Sequence, residues 1–184
     1  MRKFTTYANK DIQIKKYLNI LADRKSSIKD YSNAFYELGA KLSIQIKKST
    51  AKSKNVVLAC STEDADWLAR GIFDNLIKYD PKLVVFWNLR VNPFGNKDLP
   101  IAPIIKTYSE VDNSCDVLIV CKSIIYTSCV VRTNLTNLIE KINPKTILIV
   151  APVIFDQAEE TLNKEFQIRL AQNSSIYISR KILL

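Results

Sequence analysis

Apolar residues follow two rhythms along this chain. From Asp11 to Lys25 they recur every three or four positions, which sets Ile14, Tyr17, Leu18 and Leu21 on one helical face. Tyr31 to Lys48 repeats the pattern with Tyr31, Phe35, Leu38 and Leu42. From Asn55 onward the rhythm changes to short β-branched runs separated by polar, helix-period stretches. The runs are 55–60 (NVVLAC), 82–87 (KLVVFW), 116–120 (DVLIV), 145–155 (KTILIVAPVIF) and 175–179 (SIYIS), with a partly extended piece over 101–110. Helices are predicted over 61–80, 130–142 and 157–166, the first with Ser61 or Thr62 as its N-cap. The tail ends on Ile182, Leu183 and Leu184, an apolar run able to dock on the body or on a partner. Runs without polar alternation belong to strands covered on both faces, hence to a parallel sheet flanked by helices. The fold class is therefore α/β.

Charge divides the same chain in two. Residues 1–54 hold 13 Lys+Arg against 4 Asp+Glu, which accounts for the whole net charge of +9. The remainder holds 14 of each, 27 less 13 and 18 less 4, and is neutral. The expected organisation is a basic helical arm, residues 1–54, and an α/β body, residues 55–184. Lys15, Lys16, Arg24, Lys25, Lys29, Lys47, Lys48, Lys52 and Lys54 fall off the apolar faces of the arm. They read either as a solvated helix surface or as a sequence-blind footprint for the nucleic-acid backbone.

Missing residue types narrow the chemistry. There is no histidine, so no Ser-His-Asp triad, Cys-His pair or histidine base can be built. The three glycines, Gly39, Gly71 and Gly95, cannot write a GxGxxG or P-loop signature. Cysteines 60, 115, 121 and 129 contain no CxxC pair and are expected to be reduced thiols rather than a zinc site. No apolar run reaches the roughly 18–20 residues of a membrane span, and the N-terminus lacks a secretion-type apolar stretch. A soluble, cytoplasmic protein with no membrane partner is expected.

In parallel sheets, ligands meet the carboxyl ends of strands where the winding direction reverses. The candidates there are Ser61, Thr62, Glu63 and Asp64, then Trp87, Asn88 and Arg90, the loop 121–129, and Phe155 with Asp156. Trp87, Asn88 and Arg90 could stack on and hydrogen-bond a base or contact a partner; a core Trp87 is the alternative. Ser123, Thr127 and Ser128 offer hydroxyls ahead of a helix N-terminus, and Lys122 a positive charge, together a phosphate-binding set. Tyr126 could instead plug the space.

The run DVLIVCKSIIYTSCVV (116–131) resembles the phosphoribosyl-binding segment of type I phosphoribosyltransferases, and the resemblance spans roughly residues 30–180. It implies a phosphoribosyltransferase-like fold. In that family two acids after the strand meet the ribose hydroxyls of phosphoribosyl pyrophosphate, and Thr-Gly-Gly-Thr cradles the 5′-phosphate. Here Cys121 and Lys122 stand in place of the acids, and Tyr126, Thr127, Ser128 and Cys129 in place of the cradle. The pyrophosphate-loop position reads STEDAD, whose acids would repel a polyanion unless a cation intervened. The favoured expectation is a non-catalytic member with a degenerate loop, binding a nucleotide, nucleic acid or protein partner, in a setting such as a bacterial conflict or defence nucleoprotein complex. The alternative is an active phosphoribosyltransferase or nucleotide-glycosidic enzyme, with Glu63 or Asp64 holding Mg²⁺ or the ribose. No cofactor is required unless the chain is catalytic. A purely assembling subunit or homo-oligomer is a third possibility.

Overall fold

The protein is described by a computed structural model covering residues 3–50, 53, 55–92, 101–111, 114–162, 164 and 177–183. Lys52, Lys54, Gly95 and Leu184 lie outside the described residues. The helices are α1 (Thr6–Lys10), α2 (Ile12–Ala22), α3 (Ile28–Thr50), α4 (Thr62–Asp64), α5 (Arg70–Leu76) and α6 (Cys129–Ile142), with a further helical stretch at 156–162. A π-helical turn, Ala65–Ala69, joins α4 to α5. The strands are β1 (Val56–Ser61), β2 (Lys82–Asn88), β3 (Ile104–Ser109), β4 (Val117–Cys121), β5 (Ile124–Ile125), β6 (Thr146–Ala151), β7 (Val153–Ile154) and β8 (Tyr177–Leu183).

Six strands form one sheet in the order β3-β2-β1-β4-β6-β8. All neighbours are parallel except β3, which runs antiparallel on β2. The all-parallel expectation fails only at that edge. There the β2–β3 register shifts at Trp87/Asn88 and nearly every β3 residue is exposed, as suits an edge rather than a covered strand. β1 and β4 are buried along their whole length, which explains their unbroken apolar runs. The apolar tail is an ordinary sheet strand: Val150 pairs with Ile182 and Ala151 with Leu183.

The sheet is covered on both faces. One face carries Leu38, Leu42 and Ile46 of α3, Ile14 of α2, and Leu68, Ile72 and Leu76, packed on Val56, Leu58, Ile119 and Leu148. The other carries Val131, Leu135 and Leu138 of α6 with Ala158 and Leu162, packed on Val57, Leu118, Ile147 and Ile149. α2 and α3, within the expected arm 1–54, share one layer of the core with the π-helical turn and α5. Their lysines lie off the apolar stripe that packs on the sheet.

Local chemistry sets the ends of these elements. Asp11 caps α2 by accepting from the Gln13 and Ile14 amides, and its carboxylate also takes Lys41 of α3 at 2.8 Å. The Lys41 bond holds its carboxyl below the ordinary value. Asn143 closes α6 in the left-handed region, with φ 41°, immediately before Pro144. α3 crosses α5 with Gly39 and Gly71 at the contact: a Cβ on Gly39 would strike the Leu68 carbonyl, and one on Gly71 the Tyr36 carbonyl. Among the described residues no helix is long and apolar enough to cross a membrane.

Candidate functional site

The chain leaves β1 toward β2 on one side, while β4 lies on the other. The carboxyl ends of β1 and β4 therefore flank the point where the winding reverses. Their register places Cys60 beside Cys121, so that Ser61–Asp64 and Lys122–Ser123 emerge next to each other.

An internal ion network fills this junction. Lys122 donates to Asp64 at 2.8 Å and to Glu63 at 3.1 Å. The Lys122 and Asp64 side chains are 6% and 0% exposed. Asp64 also accepts from the Ser61 hydroxyl at 2.5 Å and from the Ser123 amide at 2.9 Å. The Ser61 hydroxyl thus serves the carboxylate instead of capping α4 through its backbone amides. Glu63 reaches across to Arg90, Oε1 to Nη2 at 3.3 Å, with about half of each of these two side chains exposed. The cation that would have to stand between the STEDAD acids and a polyanion is the chain's own Lys122.

A cavity of about 230 Å³ lies beside the network, lined by Arg90, Val91, Asn92, Lys122, Ile124, Tyr126, Thr127, Cys129, Val130 and Val131. Arg90 and Lys122 are the charged groups of this lining. Tyr126 does not plug it. The residue is 69% exposed and its ring leans on Phe155, centroids 5.2 Å apart. The loop is pinned from below by β5 pairing with β7, by the Lys122 amide donating to the Val150 carbonyl and by the Phe155 amide donating to Ile125.

The four phosphate-binding candidates part company. Lys122 and Thr127 line the cavity; Ser123 and Ser128 do not. Thr127 Oγ1 sits 3.2 Å from Cys129 Sγ, and Ser128 occupies the N-cap position of α6 without a side-chain cap bond. Trp87, Asn88 and Arg90 also separate. Trp87 packs on the α3 layer beneath the Lys106 ammonium, 5.1 Å from its ring centroid. Asn88 turns to the opposite face and exchanges two amide hydrogen bonds with Asn134 of α6, at 2.8 and 3.1 Å. Only Arg90 reaches the cavity, and it brings Asn92, which sequence reasoning passed over.

The network does not fit a divalent metal. Both carboxylates are already engaged by cations, and Mg²⁺ would have to evict Lys122 from Asp64. Cysteine chemistry is equally muted. The free thiol of Cys121 is hydrogen-bonded with that of Cys60 deep in the sheet, and that hydrogen bond and burial raise its thiol well above the ordinary value. Burial pushes Cys115 up to about 12.

The basic residues spread along the α2–α3 layer. Arg24, Lys25 and Lys29 sit at the α2–α3 turn and the start of α3, and Lys15 and Lys16 on α2. Lys47 and Lys48 are in the last turn of α3, which feeds the amino end of β1, opposite the cavity. Lys29 and Lys47 are about 27 Å apart along the helix at 1.5 Å per residue. No single small ligand touches all of these residues and the cavity together.

No protein-family model matches the sequence, and no curated protein matches it. Solved structures do. UMP synthase of Leishmania donovani superposes with a TM-score of 0.51 at 11% identity, over 95% of this chain and 36% of that one. An adenine phosphoribosyltransferase gives 0.48 at 9% identity, over 82% and 79% of the two chains. A hypoxanthine phosphoribosyltransferase of Staphylococcus aureus gives 0.45 at 15%, over 67% and 65%. At such identities the likeness is one of fold: the chain has a phosphoribosyltransferase-like α/β fold.

Proposed function

We propose that this chain is a phosphoribosyltransferase-fold protein that does not transfer phosphoribosyl groups and instead binds a phosphate-bearing ligand of nucleotide size in the cavity above β4. The Lys122–Asp64 pair carries this reading. Where the family resemblance calls for free carboxylates facing ribose hydroxyls, there is a buried lysine whose charge is cancelled by the acids that follow the neighbouring strand β1. Transfer through an oxocarbenium-like state needs a free carboxylate or a metal at that spot, and neither fits. Binding needs less. Arg90 is half exposed and able to turn to an anion, Thr127 brings a hydroxyl, and the backbone amides that open α6 favour negative charge.

The test is incubation with phosphoribosyl pyrophosphate, Mg²⁺ and each of the common nucleobases, followed by chromatography for nucleotide, beside calorimetric titration with ribose 5-phosphate and nucleoside monophosphates. We expect no nucleotide product, together with saturable binding that Arg90→Ala weakens about tenfold. Product formation dependent on Glu63 or Asp64 would reinstate the enzyme.

A second reading concerns the helical layer. Lys15, Lys16, Arg24, Lys25, Lys29, Lys47 and Lys48 have no carboxylate within ion-pair distance among the described residues, which favours a nucleic-acid backbone as their partner. Binding to duplex and single-stranded oligonucleotides across a salt series should give a linear log–log plot. Each phosphate contact removed by a Lys→Gln change should flatten its slope by about 0.9 for duplex DNA. Salt-independent affinity would remove this reading.

A further inference from the structure

The cavity's two cations are both held by one side chain. Glu63 gives Oε1 to Arg90 and Oε2 to Lys122, yet Glu63 does not itself line the cavity. With Asp64 on Lys122, the four charges Arg90, Lys122, Glu63 and Asp64 sum to zero, so the cavity wall is electrically closed. The partners differ in how firmly they hold. Asp64 is buried, close and shared with Ser61 and Ser123, and it stays with Lys122. Glu63 is half exposed, its bond to Arg90 is long, and such surface pairs hold weakly. A carboxylate bridging two cations also occupies the acceptor position that a phosphate would take between them.

We infer that Glu63 is a built-in competitor of the anionic ligand: its carboxylate holds Arg90 and half-satisfies Lys122 in the resting cavity, and an arriving phosphate takes its place. This rests on the phosphate-binding reading above and adds to it the residue that sets the affinity. It follows that the resting protein binds simple phosphates weakly and that affinity is gained by displacing or neutralising one exposed acid.

Calorimetric titration with inorganic phosphate and ribose 5-phosphate tests the inference on four proteins: the parent, Glu63→Gln, Arg90→Ala and the double variant. Thermal melting verifies that each is folded, and Glu140→Gln, an exposed acid of α6, serves as the charge control. Glu63→Gln should bind both probes about tenfold tighter, Arg90→Ala in that background should erase the gain, and Glu140→Gln should leave affinity unchanged. Equal affinity of the parent and Glu63→Gln, or a gain that survives loss of Arg90 or is matched by Glu140→Gln, overturns the role of Glu63 and leaves the binding reading standing. Absence of binding in every variant overturns both.

Discussion

Lys122→Met is expected to cost about 3–5 kcal/mol of folding free energy, seen as a lower urea midpoint at unchanged slope. The substitution keeps the length of the side chain and removes its charge. Asp64 is then a fully buried carboxylate with only the Ser61 hydroxyl and the Ser123 amide for company. Two neutral donors do not replace an ammonium in a low-dielectric site. Asp64→Asn should cost less, because Lys122 keeps Glu63 and the new amide oxygen still accepts from Ser61 or Ser123. Combining Asp64→Leu with Lys122→Met should recover part of the loss, since both charges leave together. Recovery stays incomplete because the Ser61 hydroxyl and Ser123 amide lose their acceptor. A wild-type midpoint for Lys122→Met would show that the pair is not closed as described and would reopen the junction to a ligand.

The second large effect lies far from the cavity. Gly71→Ala and Gly39→Ala should each destabilise by about 1–3 kcal/mol, despite alanine's advantage over glycine inside a helix of about 1 kcal/mol. Each new methyl would meet backbone of the facing helix, the Tyr36 carbonyl in one case and the Leu68 carbonyl in the other. Backbone has no rotamer to yield with, so α3 and α5 must separate. That strips contact from Leu38, Leu42 and Ile72, which fill the core beside the crossing. Chemical denaturation reads the loss. A neutral or stabilising Gly71→Ala would mean that the helices do not cross at these residues.

Sequence rhythm revealed much of this architecture and little of the site. β1, β2, β4 and β6 were legible because covered strands need unbroken β-branched runs, whereas the exposed β3 read only as partly extended, 145–155 read as one strand though it divides into β6 and β7, and β5 read as loop. Strand order, the reversed edge and the place of α3 were not, since they depend on which faces meet. The glycines were read only as too few for a nucleotide loop, although a glycine within a strongly periodic helix is itself a signal of close helix contact. The segment read as the loop 121–129 begins on the last residue of β4, holds the short strand β5 and ends on the first residue of α6. The direction of Lys122 was illegible because its partners stand 58 and 59 residues away and arrive only through the β1–β4 register. Asn88 and Asn134, 46 residues apart, met for the same kind of reason. Tyr126 was one of two alternatives for the space, as a plug; its ring lies against that of Phe155, a partner 29 residues on that the sequence could not indicate.

The short pairing of β5 with β7 has a mechanical consequence. It buckles the segment after β4 to the segment after β6, with the Phe155 amide as the last rung. The cavity wall from Ile124 to Thr127 is thus hitched to the stretch from Val153 to Phe155, and a guest that shifts the first must drag the second along with it. Amide protons at 125 and 154–155 should therefore trade with solvent in concert, the two segments opening as a single jaw.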